Sequence, residues 1–188
     1  EKLHVAIGKN TSSMFDEHHR VISGNATDQA LMKFLGEDSY LKMKEDPSLE
    51  VFASQKFNSS NKFSQAQIGG LTYYKGAPER LLQKADRYMG TDGQLHPLDL
   101  SCINQRIDTL AKKAMRVIAF GYSEEPLQEN CISGNLVLIG LAAIRDDVRP
   151  EARIAIHDVQ KAGIQVVMIT GDRLETASAI AKDAGLVH

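Results

Sequence analysis

Apolar and polar positions change rhythm once along this chain, near Ile144. Upstream, short alternating runs dominate. Leu3, Val5 and Ile7 alternate with Lys2, His4 and Ala6, which predicts a short strand. Glu50–Phe57, Lys62–Ile68 and Leu71–Lys75 also read as strands. The turn residues Asn58-Ser59-Ser60-Asn61 and Gly69-Gly70 separate them, so antiparallel hairpins are expected. Arg116–Tyr122 and Leu136–Ile144 add two more strands. Helical spacing interrupts these runs three times. Ala30, Leu31, Phe34 and Leu35 share a face behind a cap at Asn25 or Thr27. Glu79–Ala85 follows Pro78, whose missing N–H costs nothing in a first turn. Ser101–Ala114 places Ile103, Ile107, Leu110 and Ala111 on one side.

After Ile144 the rhythm becomes helix, strand, helix. Arg149–Ala162 and Leu174–Ala184 have helical spacing, and Ile164–Ile169 reads as a buried strand. That alternation belongs to parallel sheets. The charged segment Arg145-Asp146-Asp147-Val148-Arg149-Pro150 marks the change, so the expected domains are residues 1–145 and 146–188. One helix–strand–helix unit cannot cover both faces of a parallel strand. Residues 146–188 are therefore expected to be the less stable part, or to be shielded by partner contacts.

Composition narrows the function classes. Hydrophobic residues make up 43% of 188 positions and charged residues 24%, enough for a packed core in water. A net charge of −2 supplies no field for a polyanion, which argues against nucleic acid. The apolar run Leu136–Ile144 is broken by Gly140 and falls far short of the roughly 20 residues that span a bilayer. Cys102 and Cys131 have neither metal-type spacing nor a disulfide framework, and a reducing compartment is expected. His18-His19 has no supporting ligand cluster and reads as a solvated loop; no metal site is expected. The chain starts at Glu1 without a signal-like stretch and reads as a piece of something larger.

Three strings carry candidate chemistry. The apolar run Val166–Ile169 ends in Thr170-Gly171-Asp172 and passes at once into a helical segment. Open α/β sheets present phosphate chemistry at such junctions: glycine permits the turn, and a helix start offers free N–H groups to an anion. An ordinary turn is the alternative. Lys75-Gly76-Ala77-Pro78-Glu79 joins a strand to a helix; Gly76 would admit a ligand to the backbone, and Lys75 would hold an anion with a pKa lowered by burial, the alternative being an ordinary lysine before a strand-to-helix turn. Phe57 and Lys62 flank a tight polar turn, an aromatic face and an ammonium suited to a base and a phosphate chain. A core phenylalanine and a solvated lysine are the alternative.

Taken in order, Ala26-Thr27-Asp28, the Phe57-x4-Lys62 pair, Lys75-Gly76-Ala77-Pro78-Glu79, Met115-Arg116-Val117-Ile118, Arg145-Asp146-Asp147-Val148-Arg149-Pro150 and Met168-Ile169-Thr170-Gly171-Asp172 cover nearly the whole chain. Together they resemble the cytoplasmic nucleotide-binding region of P-type cation-transporting ATPases, nearest the calcium-pump-like branch. The resemblance implies an α+β fold: an antiparallel sheet flanked by helices (the nucleotide-binding, or N, domain), followed by a partial Rossmann-like, haloacid-dehalogenase-like segment (the start of the phosphorylation, or P, domain). It implies ATP and Mg²⁺ as cofactors, and the rest of a pump as partner: phosphorylation, actuator and transmembrane domains. A position on the cytoplasmic face of a membrane protein follows, the isolated piece being soluble. It further implies that Phe57 stacks on adenine, that Lys62, Lys75 and Gly76 line the nucleotide pocket, and that Asp28 sits near the adenine. Arg116 would reach the phosphates, Ile118 would pack beside the base, Asp146 and Arg149 would form a hinge, and Arg149 would meet the ribose or phosphates on closure. Thr170 would bind the transferring phosphoryl group and Asp172 would lie near the terminal phosphate and magnesium.

Some positions depart from the family pattern. Asp28 stands where a glutamate is usual, and Ser59, Ser60 and Asn61 replace more charged residues, which predicts a less basic pocket and weaker binding. No D-K-T-G-T string, which carries the phosphorylated aspartate, occurs in the 188 residues, nor does T-G-D-G-x-N-D. Phosphoryl transfer to a carboxylate needs that nucleophile and Mg²⁺, so the chain is expected to bind nucleotide without turnover. Two other readings stand beside this one: a self-sufficient dehalogenase-like phosphatase and a non-catalytic nucleotide sensor.

Overall fold

The computed structural model describes residues 1–145, 148–171 and 174–187. The chain divides into two compact units, Glu1–Leu98 with Ile118–Ala142, and Asp99–Val117 with Ala143–His188. Asp146 and Asp172, expected at the hinge and at the phosphate, lie outside the described residues.

The first unit opens with helix α1 (Lys2–Gly8), where alternation predicts a strand. The reason is visible in the burial. Val5, Ala6, Ile7 and Gly8 are buried consecutively, because α1 lies against α2 (Ala26–Leu35), α3 (Glu37–Glu45) and the sheet. A strand would have turned every second residue to the other face. A small ribbon of β1 (Met14–Phe15) and β2 (Val21–Ile22) intervenes. In α2 the Asn25 side chain caps the helix, accepting from the Asp28 N–H at 2.9 Å, as its sequence predicts. Leu31, Met32 and Leu35 are buried, whereas Phe34, expected on the inner face, is 69% exposed.

The main sheet follows. Its strands are β3 (Val51–Gln55), β4 (Phe63–Ile68), β5 (Leu71–Gly76), β6 (Ala85–Met89), β7 (Leu95–Pro97), β8 (Arg116–Ser123) and β9 (Leu136–Ile144). They lie in the order β3-β4-β5-β8-β9-β6-β7. The β3–β4, β4–β5, β5–β8 and β6–β7 pairs are antiparallel. The helix expected from Glu79 to Ala85 is a single turn, α4 (Pro78–Leu81), after which the chain enters β6. That strand runs parallel to β9, a pairing no local pattern announces. Strands β4 and β5 are buried on both faces. Tyr73 and Lys75 face α1 and α2, while Tyr74 faces the β8–β9 connection, where its hydroxyl meets Ser133 Oγ at 2.9 Å.

The second unit contains α5 (Leu100–Ala111), α6 (Pro150–Lys161) and α7 (Leu174–Asp183). Helix α5 starts at an Asp99 cap and packs against α7, with Ile107 and Ala111 buried. Arg145 and Asp183 form an ion pair at 3.2 Å. The buried strand expected at Ile164–Ile169 is absent: these residues adopt no strand, and Val167 and Ile169 are 69% and 95% exposed. A parallel strand needs neighbours to take its hydrogen bonds and cover its faces, and among the described residues this segment joins neither sheet.

Amide hydrogen exchange tests this contrast. Amides of Gln165–Ile169 are expected to exchange near the unprotected rate while those of Ala66 and Tyr74 are retained. Comparable protection in both segments would contradict it.

Candidate functional site

The inner ends of β5 and α2 meet at a buried ion pair. Lys75 Nζ lies 2.6 Å from Asp28 Oδ1, with side-chain exposures of 7% and 8%. Lys75 also donates to the Asn10 carbonyl. The second carboxylate oxygen, Asp28 Oδ2, accepts from the Ser12 N–H at 3.2 Å. Asn10 is itself fixed, its amide donating to the Ser64 carbonyl at 3.2 Å and the Tyr73 carbonyl at 3.4 Å. Helix α2, strand β5 and the loop after α1 are thus joined at one charged point.

Burial pushes the Lys75 pKa down, and the adjacent Asp28 carboxylate pulls it partly back up. The pair is neutral as a unit, which changes the expected role of Lys75. Its charge is already matched by Asp28, so it is a directed hydrogen-bond donor deep in the site rather than a free counter-charge for an anion.

A cavity of about 410 Å³ opens above this pair. Lys75, Asp28, Asn10 and Ser64 line it, together with Ser12, Asn25, Ser54 and Gln55. Lys9, Lys56 and Phe57 also line it, as do Thr11 and Val51, and Phe57 is 53% exposed. The cavity therefore combines one aromatic face, a neutral hydrogen-bonding floor and further cations at Lys9 and Lys56.

Lys62 and Gly76 do not line the cavity; they build the turn beside it. Lys62 takes a left-handed conformation at φ 59°. Its carbonyl accepts from the Ala77 N–H at 2.9 Å, and its ammonium meets Glu79 at 3.4 Å. A Cβ on Gly76 would lie 2.6 Å from both the Lys62 carbonyl oxygen and Phe63 Cβ. The close approach that requires glycine is therefore made by strand β4, where the sequence suggests a ligand. The string Lys75-Gly76-Ala77-Pro78-Glu79 and the Phe57-x4-Lys62 pair form one assembly across two neighbouring strands.

Arg116, Ile118, Arg149 and Thr170 are not among the residues that line this cavity. Arg116 is exposed at the start of β8, and Ile118 is half-buried two residues on. Arg149 is exposed at the start of α6, and Thr170 is exposed after the irregular segment. Asn10, Gln55, Lys9 and Lys56 are lining residues that sequence reasoning misses. Lys56 has a signal, adjacency to Phe57; Asn10 and Gln55 act through tertiary hydrogen bonds that leave no spacing pattern. His19, expected in a solvated loop, is exposed there and hydrogen-bonds Glu37 at 2.7 Å. Among the described residues no group of three His, Cys, Asp or Glu side chains is placed to hold a metal.

A family model described as the P-type ATPase cytoplasmic domain N matches residues 4–151. The chain belongs to this family. Its relatives include the plasma membrane-type calcium-transporting ATPase 7 of Oryza sativa subsp. japonica, 33% identical over 88% of this chain and 18% of the relative. The cation-transporting ATPase pma1 of a Synechocystis strain is 38% identical over 63% of this chain and 14% of the relative. The probable cation-transporting ATPase F of Mycobacterium bovis is 41% identical over 60% of this chain and 13% of its own length. The matched region is thus less than a fifth of each of these relatives. Within this N-domain chain, no described helix is long and apolar enough to cross a membrane.

The buried pair makes a stability prediction. Asp28→Asn leaves an unmatched buried ammonium and should cost about 3–5 kcal/mol in urea unfolding. The pH dependence has a definite sign. Lys75 holds its proton less tightly when folded than the ordinary 10.5, so just below 10.5 the unfolded chain binds more protons and stability rises with pH. The buried tyrosines Tyr73 and Tyr74, whose pKa values are raised by burial, act in the opposite direction. The wild-type minus Lys75→Met difference isolates the lysine, and a difference that falls as pH rises would contradict the assignment.

Proposed function

We propose that this chain binds an adenine nucleotide in the cavity between Phe57 and Lys75, as the ATP-holding part of a P-type cation pump. The observation that supports it most is the exposed Phe57 ring on the wall of a cavity floored by the Lys75–Asp28 pair. Its volume lies within the range of about 300–1,000 Å³ usual for small-molecule sites. An aromatic face suits a base, and a neutral pair offering both donor and acceptor character suits a base edge.

In this reading the base lies inward against Phe57, Lys75 and Asp28, and the phosphates point outward toward Lys9 and Lys56. Lys62, Arg116 and Ile118 would flank the nucleotide, and Gly76 would shape the wall by letting strand β4 close in. Family membership supports the assignment to ATP. The donor set fits a nucleotide and offers no three-ligand metal cage among the described residues, so Mg²⁺ would come with the phosphates, as is usual for that ion.

Transfer of the terminal phosphoryl group would require an aspartate that we place in another part of the parent protein, since no D-K-T-G-T string occurs here. Arg149 and Asp146 would serve closure toward that aspartate, and Thr170 with Asp172 would line its phosphate site. Calcium or another cation would be moved by membrane segments of the parent.

Titration calorimetry with ATP and adenosine tests the reading. Phe57→Ala should weaken both about tenfold or more, through lost stacking. Lys75→Ala should weaken both by a similar factor, whereas Lys56→Ala should weaken ATP alone. Unchanged affinity in Phe57→Ala and Lys75→Ala would remove the site. Sustained Mg²⁺-dependent hydrolysis of an aryl phosphate would replace this reading with the phosphatase one.

A further inference from the structure

The connection between β8 and β9 reaches back to the cavity through a chain of amides. Gln65, fully buried in β4, sits opposite Gln55 of β3 in the strand register. Its amide donates to Gln55 Oε1 at 2.8 Å and to the Gln128 carbonyl at 2.6 Å. Gln55 Oε1 also accepts from the Asn130 N–H at 2.7 Å, and Gln55 Nε2 donates to Asn130 Oδ1 at 3.0 Å. Asn130 Oδ1 accepts a second hydrogen bond, from the Asn61 amide.

Asn130 thus grips both ends of one segment. Gln55 lines the cavity two residues before Phe57, and Asn61 directly precedes Lys62. Between them the turn closes on itself, with the Asn61 N–H on Asn58 Oδ1 at 2.7 Å and the Lys62 N–H on the Asn58 carbonyl at 2.8 Å. Phe57 is about half exposed, so packing alone does not hold it. Asn130 is held at φ 59°, a left-handed conformation that asparagine tolerates better than most residues.

We infer that Asn130 is a positioning residue for base recognition: its carbonyl oxygen, by clamping Gln55 and Asn61, sets the Phe57 ring against the cavity. This rests on the nucleotide-binding reading above. It also makes the exposed β8–β9 connection a handle on nucleotide affinity, because displacing Asn130 releases the segment carrying Phe57.

The clamp uses an acceptor, which fixes the variants. Asn130→Gly removes the acceptor and keeps the left-handed backbone without strain. Asn130→Asp retains an oxygen that can accept both hydrogen bonds. ATP titration into the full chain should show about five- to tenfold weaker binding for Asn130→Gly, the scale of two lost hydrogen bonds. Asn130→Asp should bind as wild type does. Asn61→Ala, which removes one of the two donors, should give a smaller loss and serves if Asn130→Gly fails to fold. The aromatic NMR signals of Phe57 should shift in Asn130→Gly and return in Asn130→Asp, with those of buried Tyr74 unchanged throughout. Wild-type affinity in Asn130→Gly, or equal losses in the Gly and Asp variants, would overturn the inference. If wild-type protein binds no adenine nucleotide, the functional reading falls, and the Phe57 signals still decide whether Asn130 positions the ring.

Discussion

Lys75 and Asp28 are two opposite charges with almost no access to water, and keeping them together ties α2, β5 and the loop after α1 to one another. Burying either alone would cost several kcal/mol; buried together, with the remaining hydrogen bonds made, they come close to neutral in net stability. Such a pair contributes less to the depth of the folded state than to its uniqueness. Any shift of α2 along the sheet would separate the charges. Any movement of the Asn10 loop would strip Lys75 of an acceptor and Asp28 Oδ2 of the Ser12 N–H. The cavity inherits its floor from this requirement.

The neighbouring turn obeys a steric rule in place of an electrostatic one. Strand β4 approaches β5 so closely at Gly76 that a side chain there would overlap the Lys62 carbonyl. That approach lets the Ala77 N–H reach Lys62 and brings Glu79 to its ammonium. The residues from Lys75 to Glu79 therefore differ in what they contribute. Lys75 pairs with a buried charge, Gly76 yields space, and Ala77 donates a hydrogen bond. Pro78 starts a helix turn, and Glu79 pairs with a second charge. A string so rich in special residue types suggests a ligand contact along its length. Here only its lysine faces the cavity.

Strands β3, β4, β5, β8 and β9 were legible because alternation and turn residues agree there, and the Asn25 cap because capping is local chemistry. Helix α1 was not, since Val5-Ala6-Ile7 satisfies either period over so short a window, and only the surrounding helices choose. The parallel β6–β9 pair joins residues about fifty positions apart, which no local pattern encodes. At the site, Phe57, Asp28 and Lys75 could be singled out from sequence because their residue types bear on chemistry. Asn10 and Gln55 could not, because they act through partners far along the chain. Closeness to Phe57 makes Lys62 read as a pocket residue, yet the turn directs its ammonium to Glu79.

The segment Ile164–Ile169 has one more consequence. It is rich in Val and Ile, carries no charge, and leaves Val167 and Ile169 in water. Such a stretch has the composition of a steric zipper. It is bracketed in sequence by Lys161 on one side and by Asp172 and Arg173 on the other, charges of the kind that guard aggregation-prone strands. A strand former that joins neither sheet among the described residues thus becomes a matter of colloidal behaviour. As protein concentration rises, another molecule's copy of the same segment becomes an available neighbour, and only a parallel, in-register approach would set the two Lys161 ammonium groups against each other.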